Sequence, residues 1–283
     1  MSHPAESAAI AWNLEPLVVL PAIAAAGLYL RGWRVLARRM PERFDGARAG
    51  AFLAGIAAVL VAACSPLDAL GHRLLQAHMV QHLLLMIAAP PLLWMGAPVA
   101  PLLLGLPRPA RRAVARTLAT RPLRLLTSAL ADPRVSWVLF VTAFWVWHLP
   151  ALYDLALRSE AWHHAEHACF FLTALAFWRP IILPWPARSS GPRWAMIVYL
   201  LLAEAQNTVL AAILTFSDRV IYPAYRAAGP GALDDQALAG VIMWVPGSAA
   251  FALALLWLVF QSLNAESRAH LAAALPARTK TPG

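Results

Sequence analysis

The chain has 283 residues, of which 60% are hydrophobic and only 13% charged, whereas a soluble globular protein is nearer half apolar and a quarter charged. The net charge of +9 does not point to nucleic acid, because the basic residues are almost all Arg set between long apolar runs and no stretch reads as a nucleic-acid-binding module. The two cysteines, Cys64 and Cys169, form no Cys-x-x-Cys pair, so neither a disulfide framework nor a dithiol redox motif is visible.

Apolar runs of about 18 residues or more with few charges are candidates for membrane spans. On that basis the chain reads as an all-α polytopic membrane protein, a seven-transmembrane helix bundle forming one domain over 1–283. The spans fall at roughly 15–36, 49–65, 73–96, 134–150, 162–183, 194–216 and 239–262. No Lys or Arg precedes Arg31, so no basic leader region is expected. Pro90 and Pro91 predict a kink in the third span. Residues 97–107 predict a short re-entrant or interfacial piece. The fourth span is short, but Trp137, Trp145 and Trp147 sit where interface anchors would. Pro246 and Gly247 are expected to weaken the seventh.

Orientation follows from Lys and Arg, which accumulate in cytoplasmic loops. The loops after the first, third and fifth spans, together with the C-terminal tail, hold 19 of the 23 basic residues. The other side has Arg73, Arg158, Arg219 and Arg226. The N-terminus is therefore expected outside and the C-terminus in the cytoplasm. The bulk of the positive charge is read as topology signals facing anionic lipid.

With that orientation, the seven histidines outside the tails all fall at the outer side: His72, His78, His82, His148, His163, His164 and His167. His78 and His82 are four residues apart, so they share one helical face, and Met86 continues the stripe. His163 and His167 repeat the spacing with Glu166 beside them. An i,i+4 pair lets one helix offer two imidazoles to one metal, and two such pairs on facing helices offer three or four. Imidazole suits copper, zinc and iron, and thioether or thiolate adds affinity for Cu(I). Met79, Met86 and Cys64 are the candidate soft additions, and Glu166, Asp68 and Glu160 the candidate carboxylates that orient imidazoles. The plainer reading of any one histidine is an interhelical hydrogen bond; the cluster as a whole points to metal or haem. Ligand imidazoles must be neutral, so binding is expected to weaken below about pH 6. Glu204, near the middle of the sixth span, is either an interhelical hydrogen-bonding residue or part of the site, since a lone carboxylate in hydrocarbon is costly.

The stretch His78-Met-Val-Gln-His82-Leu-Leu-Leu-Met86, followed by Pro90-Pro91-Leu-Leu, resembles the CtaG family of cytochrome c oxidase assembly factors of the multi-span type. Trp147-His148-Leu-Pro150 with Tyr153, and His163-His164-Ala-Glu-His167, match a second block of that family. The resemblance implies a multi-pass protein of the bacterial plasma membrane that helps build a haem–copper oxidase, aiding copper delivery or insertion. Its implied partners are oxidase subunits or other assembly proteins. The chain has no Cys-x-x-x-Cys pair and no Met-rich loop of the kind many copper chaperones use.

Two other functions stay open at this point. A haem-binding membrane oxidoreductase or haem carrier would use an axial pair such as His82 and His167. A metal transporter would use Glu204 and the kinked spans. No nucleophile motif such as Gly-x-Ser-x-Gly occurs, so the chain is not expected to be an enzyme.

Overall fold

A computed structural model describes residues 12–187 and 192–274, with 227–228 and 265–274 described as backbone only. His3, Arg188, Arg278 and Lys280 lie outside the described residues, as do both ends of the 1–283 domain. Every regular element among the described residues is helical. In chain order, α1 is Pro16–Arg39, α2 Gly46–Cys64 and α3 Pro66–Gly71. The third expected span is α4, Leu75–Leu83, then a π-helical turn over Leu84–Ala88, then α5, Ala89–Met95. Next come α6 (Val99–Gly105), α7 (Arg108–Leu118), α8 (Arg121–Ala131), α9 (Pro133–Trp147) and α10 (Pro150–Arg158). The chain continues with α11 (Glu160–Ile182), α12 (Ala195–Phe216), a 3-10 segment over Pro223–Gly231, and α13 (Ala232–Ala274).

Five helical stretches are long and apolar enough to cross a membrane: Pro16–Arg39, Gly46–Cys64, Leu75–Met95, Ala195–Phe216 and Gly229–Asn264. The other two expected spans depart from that standard for different reasons. α9 has 15 residues, which at about 1.5 Å each reaches about 22 Å, short of a bilayer core of about 30 Å. It meets α8 at a bend of 79°, because Pro133 opens α9 and the Asp132 carboxylate accepts the Arg134 amide at 2.8 Å, starting a new helix. α11 is long enough at 23 residues, but its three histidines, Glu160, Glu166 and Arg179 break its apolar run.

The expected kink in the third span is realised as the π turn. Pro90 has no N–H to give the Met86 carbonyl four residues back, and the Trp178 indole donates to that carbonyl instead at 2.8 Å. Trp94 reaches the same helix, donating to the Leu175 carbonyl at 2.7 Å. These two bonds fix α4 and α5 against α11. Residues 97–107 do form a short piece, α6, which lies against α1. A β-carbon on Gly32 would strike the Pro101 carbonyl and one on Gly105 the Leu28 carbonyl, so the two glycines permit backbone-to-backbone contact. α13, by contrast, runs unbroken through Pro246 and Gly247. Gly247 serves packing, since a β-carbon there would sit 2.9 Å from the Asn207 amide nitrogen. Trp137 and Trp145, expected as interface anchors, turn inward to α12 and donate to the Tyr199 carbonyl and the Gln206 side chain.

α7 and α8 have no buried residue. Arg108, Arg111, Arg112, Arg116, Arg121 and Arg124 share them with exposed Leu118, Leu125 and Leu126, the composition of helices that lie along a lipid surface. The principal core gathers aromatic side chains of α9, α11, α12 and α13, with Phe177 stacked on both Phe140 and Tyr199.

Candidate metal centre

The histidines converge where α4, the C-terminal end of α9 and the N-terminal half of α11 meet. Helix α4 is anchored there from 160 residues away. Asp235, in the first turn of α13, accepts the Leu75 and Gln76 amides at 2.6 and 3.2 Å, supplying the N-terminal cap that α4 lacks locally. This fixes the height and rotation of His78 and His82. Their rings lie 4.3 Å apart between centroids, and those of His163 and His167 lie 4.1 Å apart, as the i,i+4 spacing requires.

The two pairs face each other. His78 is 5.4 Å from His163 and 5.8 Å from His167; His82 is 5.7 Å from His167 and 5.8 Å from His148. Glu166 sits between the helices, fully buried, with one oxygen 3.6 Å from His78 Nε2 and the other 3.7 Å from His82 Nε2. Donor atoms of His78, His163, Glu166 and His167 all lie within 4.8 Å of one another. His72 is exposed and stands edge-on to His163 at 4.9 Å, so the imidazoles run from the surface inward.

The hydrogen-bond inventory of this cluster is unfilled. Both ring nitrogens of His78 and of His82, Nε2 of His148, His163 and His167, and both Glu166 oxygens are buried without a hydrogen-bond partner. Buried polar atoms are nearly always paired, and an unpaired one costs about 1–3 kcal/mol. Each neutral imidazole has one lone pair to offer, and together with the Glu166 oxygens these form a set that a cation complements. Four such groups need to close by only about an ångström to bind an ion at about 2 Å.

The model of the cytochrome c oxidase caa3 assembly factor family matches residues 27–265. The chain belongs to this family. Two similar proteins of the curated set, uncharacterized proteins of Mycobacterium bovis and Mycobacterium tuberculosis, are each 29% identical over 247 residues. Another, from Mycobacterium leprae, is 25% identical over 244 residues. Each match covers 82% of this chain but 36% of the relative, so the chain spans about a third of the length of the curated relatives it matches. No solved structure matches.

In this member of the caa3 assembly factor family, the other expected site residues are placed unevenly. His164 leaves the main cluster and joins Glu15 and Glu160 in a partly exposed group; Asp68, His72 and His163 form a third group. Met79 and Met86 are buried beside His82. Cys64 is buried at the end of α2 and enters none of the three groups. Glu204 is likewise apart: Thr208 of its own helix donates to it at 3.0 Å, and Ser248 of α13 is its other partner, the one interhelical hydrogen bond of the kind weighed for it from sequence. Asp68 accepts from Gln81 at 3.0 Å.

Sequence reasoning missed the covering layer. The 3-10 segment brings Tyr222 and Tyr225 over the site. Tyr222 donates to the His148 carbonyl at 3.2 Å and Tyr225 to the Gly71 carbonyl at 2.7 Å. Tyr153, fully buried and 5.1 Å from His78, stacks on Tyr222. Burial pushes the Tyr222 and Tyr225 phenols above their ordinary value, so both remain O–H donors. Met243, on α13, was also missed; it lines the small cavity beside His82. No local pattern marks either feature, because both depend on α13 folding back across α4.

Proposed function

We propose that this chain helps assemble a haem–copper oxidase by holding copper, as cargo, on the group formed by His78, His163, Glu166 and His167. His72 gives the ion a way in from water, and His82 and His148 extend the path inward. The observation that carries this reading is the buried set of imidazole nitrogens and carboxylate oxygens that make no hydrogen bond. The protein acts by binding and handing over, without catalysis, and its partners are oxidase subunits or other assembly proteins. We further place it in the bacterial plasma membrane with seven spans, α9 and α11 included, the N-terminus outside. In that arrangement His163, Glu166 and His167 of α11 are buried at the site.

Metal analysis of the purified protein tests the reading, with an affinity tag that contains no histidine. Wild type is expected to retain copper after loading and desalting, and His163→Ala/His167→Ala to lose it from the outer group. Equal copper in both ends the reading. In cells, deletion of the gene should lower oxidase activity, and added copper should restore part of it.

One observation favours a haem alternative. An apolar groove of about 600 Å³ between α1, α2, α5 and α11 reaches His164 and His167. A Soret band in protein purified from haem-replete cells would support haem, and its absence removes that reading.

A further inference from the structure

Beneath the outer group lies a cavity of about 30 Å³, room for one ion or a water or two and for no organic cofactor. Met79, Met86, Met243, His82 and His148 line it, and all five are at least nine-tenths buried. The His148 ring is held by Nδ1, 2.6 Å from the Phe144 carbonyl. A carbonyl only accepts, so Nδ1 carries the proton and Nε2 carries a lone pair. That Nε2 is buried with no partner, and so are both nitrogens of His82. A second hydrogen bond that fixes the tautomer and aims the other nitrogen is how metal-binding histidines are prepared.

The remaining lining makes no hydrogen bond to these nitrogens. Thioethers donate no proton, and Phe140 and Phe144 offer only hydrocarbon and ring faces. Of the lining amides, Gln206 accepts from Trp145 at 2.9 Å and Asn207 donates to the Met243 carbonyl at 3.2 Å, and neither hydrogen-bonds to His82 or to Nε2 of His148. A cation would complement these lone pairs. Three thioethers with imidazole are soft donors, and soft donors select Cu(I) over harder divalent ions. The outer group has no sulfur among its four donors and makes no such selection.

We propose that Met79, Met86, Met243, His82 and His148 form a second, inner metal site selective for a soft monovalent cation, Cu(I) or its surrogate Ag(I). It is separate from the outer imidazole–carboxylate group and does not depend on that group's role. His82 lies between the two, 4.3 Å from His78 on one side and 5.8 Å from His148 on the other. Glu166 divides its oxygens between His78 and His82. An ion can therefore pass from one position to the other by exchanging ligands on a single imidazole.

The test uses the full chain in detergent, titrated with Ag(I) and loaded anaerobically with Cu(I) for X-ray absorption. Wild type is expected to take up two Ag(I) and to show sulfur neighbours around Cu(I). Met79→Leu/Met86→Leu/Met243→Leu, which preserves the apolar volume, is expected to take up one and to lose the sulfur signal. His163→Ala/His167→Ala is expected to take up one and to keep it. Wild-type Cu(I) without sulfur neighbours overturns the inner site whether or not any variant folds. So does uptake of two Ag(I) by the triple Met variant. If His163→Ala/His167→Ala binds like wild type while the triple Met variant loses Ag(I), the inner site stands and the outer reading falls.

Discussion

A carboxyl group with both oxygens buried and no hydrogen-bond donor in reach, as Glu166 has, needs either a proton or a cation. This makes Glu166 the most informative single residue of the site. Glu166→Gln removes the charge and keeps the shape. Without metal, the variant should be at least as stable as wild type, because no buried charge remains to be compensated. With copper, wild type should gain stability by linkage, about 2.7 kcal/mol at a hundredfold excess over the dissociation constant. The variant should gain less, with affinity lower by about tenfold or more. Thermal unfolding with and without copper measures both effects, and an equal copper-induced shift in the two proteins refutes the assignment. Asp235 is the other decisive residue, although it touches no histidine. Asp235→Ala strips the cap from α4 and should cost about 1 kcal/mol, with weaker copper binding because His78 and His82 lose their fixed height. Unchanged copper affinity in a destabilised Asp235→Ala would show that the cap supports the fold alone.

The elements differ in how far their sequence announced them. The pairing of His78 with His82 and of His163 with His167 was legible because helical periodicity is local. Pro90 and Pro91 announced a disturbance for the same reason, although not its form as a π turn. The form depends on Trp178, 92 residues away, and no local rule reaches that far. Asp235 and Met243 were illegible on the same ground: each acts on α4 only after α13 has folded back against it. α11 was read correctly as a helix, and the candidate site residues His163, Glu166 and His167 are among those that keep it below the apolar standard of a span. Cys64 and Glu204 were placed with the site by depth and chemistry, but depth does not fix azimuth around the bundle. A prediction follows from the π turn. Trp178→Phe leaves the Met86 carbonyl buried without a donor, at a cost of about 1–3 kcal/mol. Pro90→Ala restores a backbone N–H four residues from that carbonyl. The two substitutions should therefore couple, Trp178→Phe costing less in the Pro90→Ala background. Additive losses in thermal stability would mean that the indole bond does not compensate for the proline.

At the scale of the whole molecule, the asymmetry of charge and the asymmetry of chemistry describe the same axis. Five of the six arginines on α7 and α8 lie exposed, Arg111 being half-buried, with leucines beside them, suited to an anionic lipid surface. The histidines and the tyrosine layer collect where α4 begins and α9 ends, as they must if copper is handled outside the cytoplasm. The seven crossings proposed above would put these two zones on opposite faces; an even number would bring the two chain ends to the same side. Single cysteines in a Cys64→Ala/Cys169→Ala background separate the possibilities. Glu42→Cys, Arg116→Cys, Arg158→Cys and Arg226→Cys all stand at exposed positions. In intact spheroplasts, a membrane-impermeant maleimide should label 158 and 226, and should reach 42 and 116 only after the membrane is broken. Labelling of 42 and 158 together from outside would remove a crossing from the bundle. If the only missing crossing were the α8–α9 pair, 42, 116 and 158 would share one side and be labelled, or protected, together. That result would move the basic helices to the histidine side and end the argument that the site faces away from the cytoplasm on charge grounds.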